Sequence, residues 1–289
     1  MRQFTAVVNP TAGSTLVTAV ATWLREAGAT LETEYSRSLT HARELALQAA
    51  GRGRVVLAVG GDGMAGGIGG ALSGTGALFG LVPAGRGNDF ARALELPTEP
   101  DRLARLLLDG EPRPVDTIEV TSAAHDRTVV LGSVYAGVDA LANRYANRAR
   151  LLRGAASYYV GTLRAVTTWR PTRYRVTVDG REHAYTGYTV VAANSGYYGS
   201  ARHIAPDARV DDGLLDIVMI HDAPRLLFFS LMRELETGGH VRRPQVHVVQ
   251  GREVHIEADR PVPYGADGEV EAALPLTARV LPGALQVLH

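Results

Sequence analysis

The first third of the chain alternates two kinds of apolar pattern. Residues 4–8, 30–36, 55–59 and 77–82 are strand-length runs, the third entirely apolar and rich in β-branched side chains. Between them lie stretches with helical spacing. Leu16, Val20 and Leu24 share one face of a helix that Gly28 stops. A second helix covers residues 41–50, with Thr40 placed to cap it. This order predicts an α/β domain. A helix to about residue 96 and another over 101–108 follow the last of these strands.

At Pro112, Pro114 and Asp116 the helical periodicity largely ends. Strands are predicted over 115–120, 128–135, 174–178, 185–193, 214–220, 245–249, 254–257 and 280–288. Asp179-Gly180 and Gln250-Gly251 read as hairpin turns. The shift predicts two domains, an α/β unit over 1–114 and a β-rich, mainly antiparallel unit over 115–289. Helices over 140–150 and 155–168 interrupt the second, with a pause at Gly154. Arg144, Arg148, Arg150 and Arg153 cluster there beside Tyr158 and Tyr159. A solvated basic face explains them, and so does contact with phosphate or anionic headgroups. A further helix begins at Pro224, a good first helical residue, and carries Leu226, Leu227, Phe228, Phe229, Leu231 and Met232. Its apolar face suits core packing or lipid contact.

Composition mainly excludes. Thirty basic residues balance thirty acidic ones, so no general attraction to nucleic acid is expected. Every basic residue among the former is Arg, which excludes a P-loop or Schiff-base lysine. Cys is absent, excluding disulfides and thiolate metal sites, and the nine His show no metal-binding spacing. No apolar run approaches the roughly 20 residues that span a bilayer. The first residues read as a strand and not a signal peptide, so a soluble cytoplasmic protein is expected.

The chemistry concentrates in residues 55–90. Two apolar strands end in polar, glycine-rich loops, Gly60-Gly61-Asp62-Gly63 and Pro83-Ala84-Gly85-Arg86-Gly87-Asn88-Asp89. Their spacing suits a βαβ unit, and ligands bind at the carboxyl ends of such strands. Glycine lets backbone N–H groups approach a phosphate closely. Gly61, Gly63 and Gly66 also satisfy G-x-G-x-x-G, the dinucleotide fingerprint. A tight turn explains the same residues, with Gly66, Gly67, Gly69 and Gly70 admitting close helix–strand packing. Glycines in a helix cost roughly 1 kcal/mol each relative to Ala, so a compensating contact is expected.

GGDG after an apolar strand, followed by PAGRGNDFARAL, resembles the lipid kinases of the diacylglycerol kinase catalytic family, whose motifs are GGDGT-x-x-E and G-T-x-N-D-F-A. The resemblance runs from Asn9-Pro10 to Asp267-Gly268-Glu269 in the expected order. It implies an N-terminal fold like that of NAD kinase and phosphofructokinase, and ATP-dependent phosphorylation of a lipid hydroxyl, of diacylglycerol or a relative such as a sphingoid base. ATP and Mg²⁺ are the implied cofactors. The implied nucleotide side is Asn9, Ser36, Gly60, Gly61, Asp62, Gly63, Met64, Ala65, Gly66, Arg86, Asn88 and Asp89. Asp62 with Asp89 would hold catalytic Mg²⁺, with Asp116 a weaker candidate. Glu269 matches the family's general base, and Asp267 stands in the same D-G-E element. The segment from Tyr197 to Asp216 resembles the family's structural-magnesium loop, which places Asp212 and the carbonyls of Arg209 and Leu214 on the metal. An Asx turn at Asp211-Asp212-Gly213 explains that spacing equally.

Departures stand out. The family's Thr after GGDG is Met64, its Asn-Glu pair is Gly66-Gly67, the Thr of its second loop is Arg86, and a later Asn is Gly132. Met64 and Gly67 keep a second reading open, a non-catalytic nucleotide or lipid sensor. A third, an NAD(P)-binding oxidoreductase, would want an acid after the next strand, which ends in Val82-Pro83. The implied partner is a lipid at the membrane surface, met from the inner face, and a homodimer is compatible with the sequence.

Overall fold

The computed structural model describes residues 2–124, 126–148, 155–199, 201–267 and 269–289, with the side chains at 14, 146–148, 155–159, 225, 226, 228 and 269–271 left out of the description. Strand and helix alternate first: β1 (Gln3–Val8), α1 (Ser14–Glu26), β2 (Thr30–Tyr35), α2 (Leu39–Gly51), β3 (Val55–Gly60), α3 (Asp62–Leu72), β4 (Leu78–Pro83), α4 (Asp89–Ala93) and α5 (Pro100–Asp109). Strands then dominate, with β5 (Pro112–Ser122), β6 (Thr128–Val130) and β7 (Ser133–Gly137) before the helices α6 (Val138–Arg148) and α7 (Ala155–Thr168). Next come β8 (Thr172–Val178), β9 (Arg181–Ala193), the short β10 (Tyr197–Tyr198) and β11 (Arg202–His203), β12 (Leu215–His221) and α8 (Arg225–Glu234). The chain ends with β13 (Val246–Gly251), β14 (Glu253–Ala258), β15 (Pro263–Ala266), β16 (Glu269–Ala273) and β17 (Leu276–Leu288).

The first four strands pair in parallel in the order β2-β1-β3-β4. β3 is buried along its whole length, as its unbroken apolar run requires of a central strand covered on both faces. The β-rich part is antiparallel, with β14-β8-β9-β7-β15-β16 in sequence across the sheet and β12 between β9 and β13. β17 joins the two parts. It pairs antiparallel with β14 and β5, and near its end Gln286 and Val287 run parallel beside Leu78 and Phe79 of β4. Leu285 and Val287 are buried in the same core as Val56 and Phe79. The predicted boundary at 114/115 falls inside β5.

Several local expectations are corrected. Ser38 rather than Thr40 caps α2, because the Ser38 hydroxyl accepts the His41 N–H at 3.1 Å. Pro224 is the cap of α8 and not its first residue. Gln250-Gly251 is not a hairpin turn; both residues pair with β12, and β14 departs to β8 and β17. Gly251 serves a close approach instead, since a Cβ there would stand 2.3 Å from Val178 Cγ1. The predicted strand over 128–135 breaks at Leu131-Gly132, whose N–H groups turn to the Asp267 carboxylate. Arg150, Arg153 and Gly154, and the side chains of Arg148, Tyr158 and Tyr159, lie outside the described residues. On α8, Leu231 is buried and Leu227 and Met232 pack on the core, while Phe229 is exposed; Leu226 and Phe228 side chains are also outside the description. Among the described residues no helix is long and apolar enough to cross a membrane.

Candidate active site

Three loops meet at the carboxyl ends of β1, β3 and β4. Asn9 donates its N–H to the Val59 carbonyl at 3.0 Å, and its Oδ1 accepts from Thr11 N and Oγ1. Ala84 N–H donates to Gly60 O at 2.8 Å, and Gly13 N–H donates to Ala84 O at 3.2 Å. The middle and last loops touch through glycine, for a Cβ on Gly85 would stand 2.3 Å from Gly61 Cα. Asn88 adopts a left-handed backbone, φ 53°, and both ends of its amide are spent on Gly85 N and O. It shapes the loop. Arg86 projects from the exposed tip. Ser36 is buried with its hydroxyl on the Val8 carbonyl, at the root of the first loop.

α3 starts directly at Asp62, and its cap, Gly61, offers no side chain to the first-turn N–H groups. A helix N-terminus left this way attracts an anion. Asp62 Oδ1 accepts the Phe90 N–H at 3.2 Å, which anchors the next loop. A Cβ on Gly87 would lie 2.7 Å from Asp62 Oδ2 and 3.4 Å from Asp89 Oδ2. Two carboxylates thus converge on one bare stretch of backbone. Asp89 uses its other oxygen on the Ala201 N–H at 2.6 Å.

The glycines of α3 find their compensation in close contacts. Gly66, Gly69 and Gly70 form one face at i, i+3 and i+4. Added Cβ atoms there would stand 2.5 Å from Asp267 Oδ2, 2.6 Å from Leu131 Cδ1 and 2.2 Å from the Val129 carbonyl oxygen. The β-rich part therefore rests on the backbone of this helix. Gly67 faces the other way, where Leu39 Cδ1 would be 2.3 Å from a Cβ. Met64 and Ala65 are buried in the N-terminal core, Met64 lying over Gly60.

Across from the loops is a cavity of about 190 Å³. Asp62, Gly66, Gly87 and Asp89 line one side; Leu131, Tyr135, Asp139, Tyr197, Tyr198 and Asp267 line the other. Asp267 accepts three backbone N–H bonds, from Leu131 at 2.7 Å, Gly132 at 2.8 Å and Ser133 at 3.2 Å. Burial pushes its carboxyl up to about 6; the three N–H donors pull it down, and the Asp62 charge adds to the rise. Asp139, in the first turn of α6, was not expected as a site residue. It stands one position before the predicted helix, and the signal that could have found it is Gly137-Val138-Asp139-Ala140, which matches the G-x-D-A end of a family element that follows Gly132. Its Oδ2 accepts from Thr189 Oγ1 at 2.9 Å, and burial raises its carboxyl above the usual range. Glu269 opens β16, paired with Ala266 across the turn from Asp267, but its side chain lies outside the described residues.

The sequence compares with known proteins along its whole length. Residues 3–120 match the diacylglycerol kinase catalytic domain, and residues 132–289 match the YegS C-terminal NAD kinase beta sandwich-like domain. A diacylglycerol kinase of Mycobacterium tuberculosis is 35% identical over 254 residues, covering 86% of this chain and 81% of that protein. The chain belongs to the diacylglycerol kinase family. A diacylglycerol kinase of Bacillus subtilis is 24% identical over 288 residues, covering 95% of this chain and 92% of that one. The fold agrees with a solved diacylglycerol kinase from Bacillus anthracis, with a TM-score of 0.75 at 19% identity over 100% of this chain and 97% of that one.

Against the diacylglycerol kinase family motif, the departures at Met64, Gly66, Gly67 and Gly132 have structural counterparts, while nothing in the structure explains Arg86. Where that motif has Thr, Met64 fills core space; where it has Glu, Leu39 occupies the room beside Gly67. Where it has Asn, at Gly66 and Gly132, the Asp267 carboxylate fills the space.

The loop expected to hold a structural metal, residues 209–214, lies apart from the cavity. Asp212 is exposed and its Oδ1 accepts the Leu214 N–H at 3.0 Å, an Asx turn. Arg209 pairs with Asp211 at 3.2 Å. Asp116, 2% exposed, accepts N–H bonds from Gly213 and Gly283, both at 2.7 Å, and donates its own N–H to Val210 O. Asp116 is thus a clasp between this loop and β17, away from the carboxylates that line the cavity. Among the described residues no three His, Cys, Asp or Glu side chains gather as a metal cluster.

Proposed function

We propose that the protein transfers the γ-phosphoryl group of ATP to a hydroxyl of diacylglycerol or a close lipid relative. The observation that carries this reading is the convergence of Asp62 and Asp89 on Gly87, beside the N-terminus of α3, which has no side-chain cap, and facing a cavity. These residues fit a nucleotide with a divalent cation. First-turn N–H groups without a side-chain cap suit phosphate oxygens, and paired carboxylates suit a hard cation. Bound ATP supplies the phosphoryl group, with Mg²⁺ to neutralise its charge.

The chain's own residues supply positioning and a proton acceptor, which is most of what phosphoryl transfer needs. The Gly60–Gly63 backbone orients the phosphates, and Asp62 with Asp89 holds the cation. Glu269, at the start of β16, takes the proton from the lipid hydroxyl. Tyr135, Tyr197, Tyr198 and Leu131 offer an apolar wall to the acceptor's glycerol and acyl stem, with Asp139 among them to meet a polar group. The lipid is met at a membrane surface, on the cytoplasmic side. A second Mg²⁺, held by Asp212 and the carbonyls of Arg209 and Leu214, would stabilise the loop beside Asp116.

The experiment is lipid-dependent release of ADP from ATP, using mixed micelles with diacylglycerol, a sphingoid base and a monoacylglycerol in parallel. Turnover with diacylglycerol above the lipid-free rate supports the reading. Nucleotide binding without turnover on any lipid would favour a sensor, and hydride transfer from NAD(P)H would favour the oxidoreductase.

A further inference from the structure

Asp267 reaches the nucleotide-side helix only because Gly66 has no side chain. The residue sits at φ 44° in the turn between β15 and β16, where Ala266 pairs with Glu269. Its own N–H donates to Ser133 O at 3.1 Å. Its carboxylate then accepts three N–H groups from residues 131–133, so most of its acceptor capacity is spent inside the protein. A Cβ on Gly66 would stand 2.5 Å from Oδ2, and one on Gly132 would stand 3.0 Å from Oδ1. The first is closer than real Cβ contacts come. The carboxylate is on a short side chain held at three points and cannot swing aside without losing an N–H bond.

We infer that Asp267 is a positioning residue: its carboxylate clamps the β15–β16 turn, and with it Glu269, to residues 131–133 and to the face of α3, and Gly66 is the gap that admits it. The role in turnover rests on the lipid-kinase reading above; the clamp itself does not. A carboxylate already bound by three N–H donors is a poor ligand for a cation, so Asp62 and Asp89 are left to that task. Gly66 contributes by absence. It costs helix propensity in α3 and returns a fixed distance between the helix and the turn.

The test is a cycle of Gly66→Ala and Asp267→Gly. Glycine accepts the positive φ at 267, so the second variant removes the carboxylate without straining the turn. In the wild-type background Gly66→Ala lowers Tm, because the new Cβ evicts the carboxylate. In the Asp267→Gly background the same change raises Tm, because Ala is then only a better helix former. In turnover, Gly66→Ala lowers kcat at least about tenfold while KM for ATP stays within about twofold, the pattern of a misplaced reacting group. Asp267→Gly lowers kcat comparably, and adding Gly66→Ala to it costs no more than about twofold further. Equal rises in Tm in both backgrounds, or kcat losses that multiply, overturn the clamp. Should the wild-type protein turn over no lipid, the kinase reading fails, and the Tm cycle still decides the clamp. Amide exchange gives a check without either glycine variant. Asp267→Asn presents an amide NH₂ in place of one oxygen, so exchange at Leu131 should quicken at least about tenfold while β12 amides hold. Unchanged exchange there also overturns it.

Discussion

Asp89 Oδ1 accepts the backbone N–H of Ala201 at 2.6 Å, so the loop after β4 is tied to the turn between β10 and β11. The same carboxylate turns Oδ2 toward Gly87, as Asp62 does from the other side. One acid therefore joins the glycine-rich loops to the opposite wall of the cavity, and its two oxygens face different neighbours. The variants separate them. Asp62→Asn keeps an oxygen for Phe90 N–H but loses the charge, and should lower ADP release at least about 100-fold with Tm nearly unchanged. Asp89→Ala should lower both activity and Tm, because it also frees Ala201. Full activity in Asp62→Asn would remove it from cation binding.

Glu269 is expected to act in the chemical step alone. A general base contributes typically 10²–10⁴-fold. Glu269→Gln keeps shape and should lower kcat at least about 100-fold with ATP affinity intact, measured by single-turnover kinetics and nucleotide titration. A variant keeping more than about a tenth of wild-type kcat under chemistry-limited conditions is incompatible with that role.

The 209–214 loop offers a metal test that is independent of turnover. Asp212 is exposed, and one of its oxygens is held in the Asx turn to Leu214, so the proposed cation would use the other. Asp212→Ala should lower Tm and abolish any rise in Tm on adding magnesium. Asp116→Asn should lower Tm with or without magnesium, because its two 2.7 Å acceptor bonds to Gly213 and Gly283 are protein contacts. Melting curves that do not respond to magnesium in the wild type would leave Asp116 alone as the clasp.

Asp267 predicts a pH dependence of stability. Its carboxyl is raised from 3.8 to about 6, chiefly by burial. Above that value it is ionised in both folded and unfolded chains, and its cost to the fold is constant. As pH falls through about 6 the folded protein takes up a proton that the unfolded chain does not, so this contribution to stability rises. The rise ends below 3.8, where both states are protonated. The full span is about 3 kcal/mol. Urea melts from about pH 7.5 to about pH 4.5 should show wild type gaining on Asp267→Asn across this window. A constant difference between the two would contradict the raised carboxyl.

Local pattern settled what depends on neighbouring residues. The unbroken, β-branched apolar run of β3 read as a strand, and it is one, buried along its length. Glycine around one acid at a strand end marked the loop where α3 begins, and the order of motifs to Asp267 marked the family. Hairpins whose partners are adjacent, such as Asp179-Gly180 between β8 and β9, were legible for the same reason. Tertiary structure decided whatever joins distant segments. Nothing near Leu131 announces that its N–H leaves the strand for a carboxylate 136 residues away. Nothing near Gly251 distinguishes a turn from a close crossing over Val178. The glycines of α3 are the sharpest case. Alone they read either as a phosphate loop run on into a poor helix or as a helix packed closely on some strand, with the partner unnamed. Only the approach of Val129, Leu131 and Asp267 shows why side chains are missing there, because the space a side chain would fill belongs to residues that local sequence cannot see.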